Sequence, residues 1–183
     1  MRKILFIICW ALAGVGLYSC SLDEPSYGKT TSDNYYQKES DIEQALTGAY
    51  LQLRTTWNEY ALNHYFVGDC STDDALKGAG NDGDRAEVRD LSDFTIYTTN
   101  GEVGRRWEIL YRLINRCNDV IYYAPDAIGN EELLKRYANE AKALRAFGYY
   151  CLVTTFGEVP LITTPMQPAE ILQIPRSPLE KVY

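Results

Sequence analysis

Apolar residues recur every three or four positions in three stretches of this chain, the spacing that places them on one face of an α-helix. The stretches run from about Asp41 to Arg54, from about Glu102 to Tyr123, and from about Asn130 to Phe156. Each predicts a helix with one buried face. Only residues 124–129 join the last two stretches, so they predict an antiparallel helical hairpin, the unit from which helical repeat arrays are stacked.

The expected helix ends carry capping residues. Ser40 and Glu43 match the capping box, in which the serine covers a free backbone amide and the glutamate reaches back. Asn130 is a good N-cap for the third helix. Gly157 can adopt the left-handed cap that ends this helix, and Pro160 cannot continue it.

A further helix start lies at the end of the sequence. Ser177 is an N-cap residue, Pro178 suits the first helical position, and Glu180 follows at the third. One or two turns of helix are not stable alone. We therefore expect this chain to be the front part of a longer protein.

Residues 55–102 lose the helical period, and the run KGAGNDGD at 77–84 predicts a long surface loop. Its glycines fit G-x-G-x-x-G, but a dinucleotide site needs a strand before and a helix after, and the preceding STDD predicts no strand. Asp82, Asp84 and Glu87 are candidate calcium ligands, although their spacing does not fit the twelve-residue calcium loop. His64 is the only histidine, so a zinc site or a catalytic triad would depend on it alone.

The amino end has the layout of a secretory signal, with Arg2 and Lys3 before an apolar run that ends at Leu17. A helix of about 14 residues rises about 21 Å, less than the ~30 Å hydrocarbon core. Ser19 followed by Cys20 resembles the bacterial lipoprotein box, which predicts an acylated Cys20. Ordinary cleavage to a secreted protein is the alternative.

Charge and cysteine content narrow the function classes. Removing residues 1–19 deletes two cations and no acid, which takes the net charge from −7 to −9. An acidic chain without clustered cations is not expected to bind nucleic acid.

Of the five cysteines, Cys70, Cys117 and Cys151 remain after the leader and the lipid site. One disulfide is possible but not required, and the last two lie on apolar helical faces, where cysteine packs as a small hydrophobic residue.

Several sequence blocks, in this order and spacing, resemble the SusD/RagB family of outer-membrane nutrient-binding lipoproteins. The blocks are Trp107–Tyr111 (WEILY), Ile114–Asn118 (INRCN), Asn139–Tyr150 (NEAKALRAFGYY), Phe156–Ile162 (FGEVPLI) and Pro175–Tyr183 (PRSPLEKVY). The resemblance covers the chain after Cys20 but only the amino-terminal third or so of a typical member. Within the blocks we expect Ala141, Ala143, Ala146 and Gly148 to let two helices approach closely.

The resemblance implies a mostly α fold, a truncated α-superhelical scaffold of tetratricopeptide-like hairpins with long irregular loops. It implies a signal peptide at 1–19, an acidic and polar tether at 20–39, and a SusD-like helical domain at 40–183, incomplete at its carboxyl end. The implied protein is no enzyme and needs no cofactor or metal. It is anchored to the cell outer membrane, facing outward, and delivers an oligosaccharide to a SusC-like TonB-dependent transporter.

The same resemblance points to a ligand loop. In starch-binding members an aromatic platform follows the acidic segment that here reads Asp69–Asp74, but residues 75–85 contain no aromatic residue. Ligand contacts would then be polar ones from Lys77, Asn81 or Arg85, and a surface loop with no ligand role is an equal alternative. A peptide-binding member, a secreted helical interaction module and a non-functional gene fragment also remain open.

Overall fold

The structure is a computed structural model that describes residues 32–54, 60–78 and 83–182. Within these ranges the chain is mostly helical, as predicted. The helices are α1 (Ser32–Tyr35), α2 (Glu39–Tyr50), α3 (Tyr60–Gly68), α4 (Ala86–Ser92), α5 (Gly101–Tyr123), α6 (Glu131–Phe156), α7 (Pro168–Ile171) and α8 (Leu179–Val182). Two short strands, β1 (Val159–Pro160) and β2 (Arg176–Ser177), pair antiparallel. Asp33–Tyr183 form one compact unit.

The two long helices α5 and α6 form the predicted hairpin, and α2 packs against both of them. The first half of the core lies where these three helices meet. Its buried members include Ile42, Leu46 and Ala49 of α2, Leu113, Cys117 and Val120 of α5, and Leu134, Ala138, Ala141 and Leu144 of α6. The apolar faces predicted for the first and third helices are therefore buried in the core. Burial of apolar surface is the main source of stability here.

The second half of the core lies farther along the hairpin. It is built from Leu110 and Ile114 of α5, Tyr149, Leu152 and Val153 of α6, and Val159 of β1. The residues after α6 thus fold back onto the hairpin. Gly157 permits this turn with a φ of 71° and a ψ of −129°. Its φ is positive, as predicted, but its ψ is not that of the left-handed helical cap.

Side-chain caps fix where the two long helices begin. The Asn130 Oδ1 accepts hydrogen bonds from the amides of Glu132 (3.0 Å) and Leu133 (3.3 Å), which confirms the predicted N-cap of α6. Asn100 caps α5 in the same way, with its Oδ1 3.1 Å from the Glu102 amide. Each asparagine satisfies amides that have no partner inside the helix.

The predicted start of α2 is wrong. The N-cap is Lys38 instead of Ser40, and Asp41 is the acidic residue that reaches back, with its Oδ2 2.9 Å from the Lys38 amide. The cause is a tertiary contact, because the Glu39 amide donates to the Ile128 carbonyl at 3.0 Å. This bridge to the turn of the hairpin holds the chain in position and lets the helix begin two residues earlier.

The region without helical period contains two helices, α3 and α4, which the sequence did not predict. On α3 the only buried residue is polar, Asn63, so hydrophobic periodicity could not reveal this helix. On α4 the buried residues Val88 and Leu91 are too few to make a pattern. His64 lies exposed on α3.

The small residues of α6 divide between two faces. Ala141 and Gly148 are buried against α5, whereas Ala143 and Ala146 are exposed. A Cβ at Gly148 would lie 3.1 Å from Cγ1 of Ile114, a tight contact that the glycine avoids at this close approach. The expectation that Ala143 and Ala146 serve this contact is wrong, because they lie on the solvent side of the helix.

The three cysteines that the structure describes, Cys70, Cys117 and Cys151, are buried and free. Burial raises the pKa of the Cys117 thiol to about 12. Cys117 and Cys151 lie in the two halves of the apolar core, as predicted, and the Cys151 Sγ also lies 3.4 Å from the Tyr60 hydroxyl. In the described ranges no helix combines the length and the apolar character needed to cross a membrane.

Candidate functional site

The predicted ligand loop is fastened to the helices at both of its ends. At one end the Lys77 amide donates a hydrogen bond to the Ser92 Oγ of α4 at 3.1 Å. At the other end Arg85 leads into α4. Asn81, the third predicted contact residue, lies outside the described residues, as does the predicted lipid site Cys20. The structure thus shows how the loop is anchored while leaving its ligand contacts as a prediction.

Arg85 is held by contacts with the interior. Its guanidinium carbon lies 4.5 Å from the centre of the Phe66 ring, and its Nη1 lies 3.6 Å from the Glu102 Oε1. Its backbone has a φ of 45° and a ψ of 57°, a left-handed conformation that is uncommon outside glycine. Such strain persists only where surrounding contacts hold it. Arg85 is therefore a structural anchor of the loop, whatever else it contacts.

A buried polar cluster lies under this anchor. The Asn63 Nδ2 donates to the Glu102 carbonyl at 2.8 Å and to the Glu102 Oε2 at 3.3 Å. Arg105 approaches the same carboxylate, with its Nε 3.6 Å from Oε2. Glu102 is only 7% exposed, so two arginines compensate a carboxylate that has left water. The cluster joins α3 to α5 and fixes the layer that carries the loop.

A groove of about 500 Å³ opens beside this cluster, between α3, the residues after α4, and the ends of α5 and α6. Arg106 lines it together with Val67, Ser71, Ile96, Thr155 and Phe156. The Arg106 Nε donates to the Thr155 Oγ1 at 2.8 Å, and its Nη1 lies 3.2 Å from the His64 Nδ1. Sequence patterns did not single out Arg106, because nothing in its spacing shows that it is buried.

An aromatic cleft of about 200 Å³ lies farther along α5. Trp107, Tyr111 and Asn115 line it from successive turns of the helix, with Pro160 and Ile171 opposite. The two rings lie 4.8 Å apart, and the Tyr111 hydroxyl donates to the Pro160 carbonyl at 2.7 Å. Burial raises the pKa of Tyr111. The spacing of these residues, four apart, was the signal that could have revealed the cleft.

The cleft rests on a buried hydrogen-bond network. Asn118 is fully buried, and its Nδ2 donates to the Ile162 carbonyl at 3.0 Å. Its Oδ1 accepts from the Arg145 Nη1 at 2.8 Å, and Arg145 also donates to the Thr163 carbonyl at 2.9 Å. The Tyr149 hydroxyl bonds the Ile162 amide and carbonyl. These contacts fix the chain after β1 against the hairpin.

Within the ranges 32–54, 60–78 and 83–182, no three histidine, cysteine, aspartate or glutamate residues are grouped as metal ligands would be. Of the three candidate calcium ligands, Asp82 lies outside the described residues. The Glu87 carboxylate accepts a hydrogen bond from the Gly101 amide at 3.1 Å. Glu87 therefore serves the start of α5.

The order of helices and the loops between them can be compared with known proteins. The protein family described as SusD-like, starch-binding associating with outer membrane, matches residues 21–183. This chain belongs to the SusD-like family.

Two SusD-like proteins of Formosa agariphila are similar along nearly the whole chain. The protein named P2 is 29% identical over 99% of the chain, and the protein named P25 is 26% identical over 96%. The chain spans 35% and 34% of their lengths. It thus corresponds to about a third of these SusD-like relatives.

Solved SusD-like structures have the same arrangement of helices. A laminarin-binding SusD-like protein superposes with a TM-score of 0.72 and 31% identity, over 81% of this chain and 32% of that one. A surface glycan-binding protein A from Bacteroides fluxus superposes with a TM-score of 0.66 and 28% identity, over 80% of this chain and 31% of that one. The SusD-like fold predicted from the sequence blocks is confirmed.

Proposed function

We propose that this chain is part of an outer-membrane surface lipoprotein that binds an oligosaccharide and delivers it to a SusC-like TonB-dependent transporter. The observation that carries the proposal is the continuous family match over residues 21–183, which includes the predicted loop and both halves of the core. The similarity to a laminarin-binding protein supports a glycan as the ligand.

Polar residues of the loop between α3 and α4 contact the glycan in this proposal. Lys77 and Asn81 supply the hydrogen bonds, and Arg85 holds the loop through Glu102 and Phe66. A loop fixed at both ends loses less conformational entropy when it binds, and that favours affinity. The absence of aromatic residues from 75–85 favours a ligand held through its hydroxyl groups.

Calorimetric titration of the full chain with a panel of neutral and acidic oligosaccharides, laminarin oligosaccharides among them, tests the glycan proposal. We expect Lys77→Ala and Asn81→Ala each to weaken binding by roughly fivefold, the equivalent of one net hydrogen bond. Lys142→Ala, which changes an exposed lysine of α6, is the matched control and should bind as the parent does. A chain that binds no glycan, or that binds peptides instead, would contradict the proposal.

The membrane anchor is a separate part of the proposal. Acylation of Cys20 supplies the several acyl chains that stable anchoring needs. We expect Cys20→Ala to abolish incorporation of labelled palmitate and to release the protein from membranes. Cys9→Ala, which changes a cysteine within the leader, is the control and should leave both unchanged. A Cys20→Ala protein that still fractionates with membranes would remove the anchor from the proposal.

The transporter is tested by gentle solubilisation of the outer membrane and capture of a tagged protein. A large TonB-dependent barrel in the eluate, identified by mass spectrometry, is the expected result. Capture of the protein without a barrel would contradict delivery to a transporter and favour a free-standing surface binder.

A further inference from the structure

Arg106 is a buried cation whose partners carry no negative charge. The residue is 4% exposed. Its polar contacts in the described part of the chain are the Thr155 hydroxyl, the His64 ring nitrogen and the Tyr60 hydroxyl, and its guanidinium carbon lies 5.8 Å from the centre of the Tyr60 ring. A hydroxyl, an imidazole and an aromatic ring orient a guanidinium but do not neutralise it. Buried charges are normally paired, so this one calls for a partner.

The acidic side chain one turn earlier on the same helix does not supply that partner. Glu102 is engaged by Asn63, Arg85 and Arg105. The other described ion pairs on α5 and α6 join Arg112 to Glu108 and Arg136 to Glu140. The positive charge of Arg106 therefore remains uncompensated among the described residues.

The guanidinium keeps hydrogen-bonding capacity toward the groove that it lines. Arginine has five N–H donors in a planar fork that matches a carboxylate or a sulfate. The described contacts are Nε with the Thr155 hydroxyl, Nη1 with His64, and the neutral Tyr60 hydroxyl, which are fewer than the five donors of the fork. The Thr155 hydroxyl is itself fixed, because it donates to the Cys151 carbonyl at 2.9 Å. The fork is thus held in one orientation before any ligand arrives.

The size and lining of the groove suit part of a ligand. Its volume of about 500 Å³ falls within the ~300–1,000 Å³ typical of small-molecule sites. Apolar walls from Val67, Ile96 and Phe156 lower the local dielectric constant, which strengthens a contact between opposite charges. The whole chain carries a net charge of −7, so its overall field does not attract an anion and a local cation must do so.

We propose that this groove binds the negatively charged group of an acidic saccharide, either a uronic acid carboxylate or a sulfate ester, with Arg106 as its partner. The inference rests on the proposed glycan-binding function and narrows its ligand class. It assigns a ligand contact to Arg106 in addition to those proposed for Lys77 and Asn81.

The test is calorimetric titration of the full chain with four probes of known charge. They are an oligogalacturonate, a sulfated galactan oligomer, a neutral galactan oligomer of the same length, and inorganic sulfate. At least one acidic oligomer should bind at least about tenfold more tightly than the neutral one, as expected for a hydrogen bond to a charged group. Added salt should weaken only the acidic complex.

Two pairs of variants locate the site. Arg106→Gln should lose at least about tenfold in affinity for the acidic oligomer, whereas Arg112→Gln, which changes an exposed arginine of α5, should not. Thr154 is exposed on the rim of the groove. Because Thr154→Glu and Thr154→Gln introduce side chains of the same size at this exposed position, we expect the two variants to fold alike and to differ only in charge. Thr154→Glu should weaken binding of the acidic oligomer by at least about fivefold relative to Thr154→Gln, which keeps the test decisive if Arg106→Gln does not fold.

Equal binding of acidic and neutral oligomers would overturn the inference and leave the glycan proposal standing. Equal effects within either variant pair would also overturn it. Binding of inorganic sulfate without either acidic oligomer would mean an adventitious ion only, and would count against it. Failure of every oligomer to bind would contradict both the inference and the proposed function.

Discussion

Replacing Asn118 by alanine should destabilise the fold without touching the predicted ligand loop. Asn118 is 0% exposed and links three segments of chain. Its amide nitrogen donates to the Ile162 carbonyl, and its oxygen accepts from the Arg145 guanidinium. The substitution removes both hydrogen bonds and leaves Arg145 with the Thr163 carbonyl as its described partner.

The magnitude follows from these two contacts. The neutral bond to Ile162 contributes about 1 kcal/mol, and the bond from the charged Arg145 about 1.5–3 kcal/mol. Tyr149 still bonds the Ile162 carbonyl, and Arg145 is only half-buried, so the lower part of the range applies. We expect a loss of about 2–3 kcal/mol in the free energy of unfolding. For a domain of this size that lowers Tm by roughly 4–12 °C.

Thermal and urea unfolding followed by circular dichroism measures this loss. Asn115→Ala is the matched control, because Asn115 lies on the same helix, is exposed, and its side chain makes no hydrogen bond to a described residue. The control should change stability by no more than about 0.5 kcal/mol. If Asn118→Ala and Asn115→Ala unfold at the same urea concentration, the buried network does not stabilise the fold as argued.

Three further predictions concern the hairpin. Gly148→Val should lower the free energy of unfolding by about 1–3 kcal/mol, because a Cβ there would lie 3.1 Å from the Ile114 Cγ1. Ala146→Val, at an exposed site of α6, should lower it clearly less in urea unfolding. Burial raises the pKa of Asp119, partly offset by the Tyr36 hydroxyl and by Arg116, so the folded chain holds that proton more tightly than the unfolded chain. The contribution of Asp119 to the free energy of unfolding should therefore fall as pH rises above about 4. The gain in the free energy of unfolding from Asp119→Asn, measured with urea, should be larger at pH 7 than at pH 4. A constant difference would refute this reasoning. Burial raises the pKa of Cys117 to about 12, so little of the reactive thiolate is present at pH 8. Its alkylation, followed by mass-spectrometric mapping, should be at least about 10³-fold slower in the folded chain than in urea. Equal rates in the two conditions would contradict the burial of Cys117.

The candidate site could be predicted only in part. Lys77 and Arg85 were proposed from the family resemblance, which points to the loop after Asp69–Asp74, and their contact with a ligand stays a prediction. The anchoring of Arg85 on Phe66 and Glu102 was not visible in the sequence, since these partners lie on other helices. Arg106 gave no sequence signal, because only the packing of α3 and α6 beside it decides that its charge is buried.

The helices, like the candidate site, could be predicted only in part. The sequence by itself determined α5, α6 and most of α2, because a period of three to four and a capping asparagine act within one or two turns of the chain. Tertiary structure decided the start of α2 through the bridge to Ile128, and it decided α3, whose buried residue is the polar Asn63. Hydrophobic periodicity is a local pattern, so it can be recognised from the sequence alone. The pairing of a buried polar group depends on partners far away in sequence, which only the folded chain brings together.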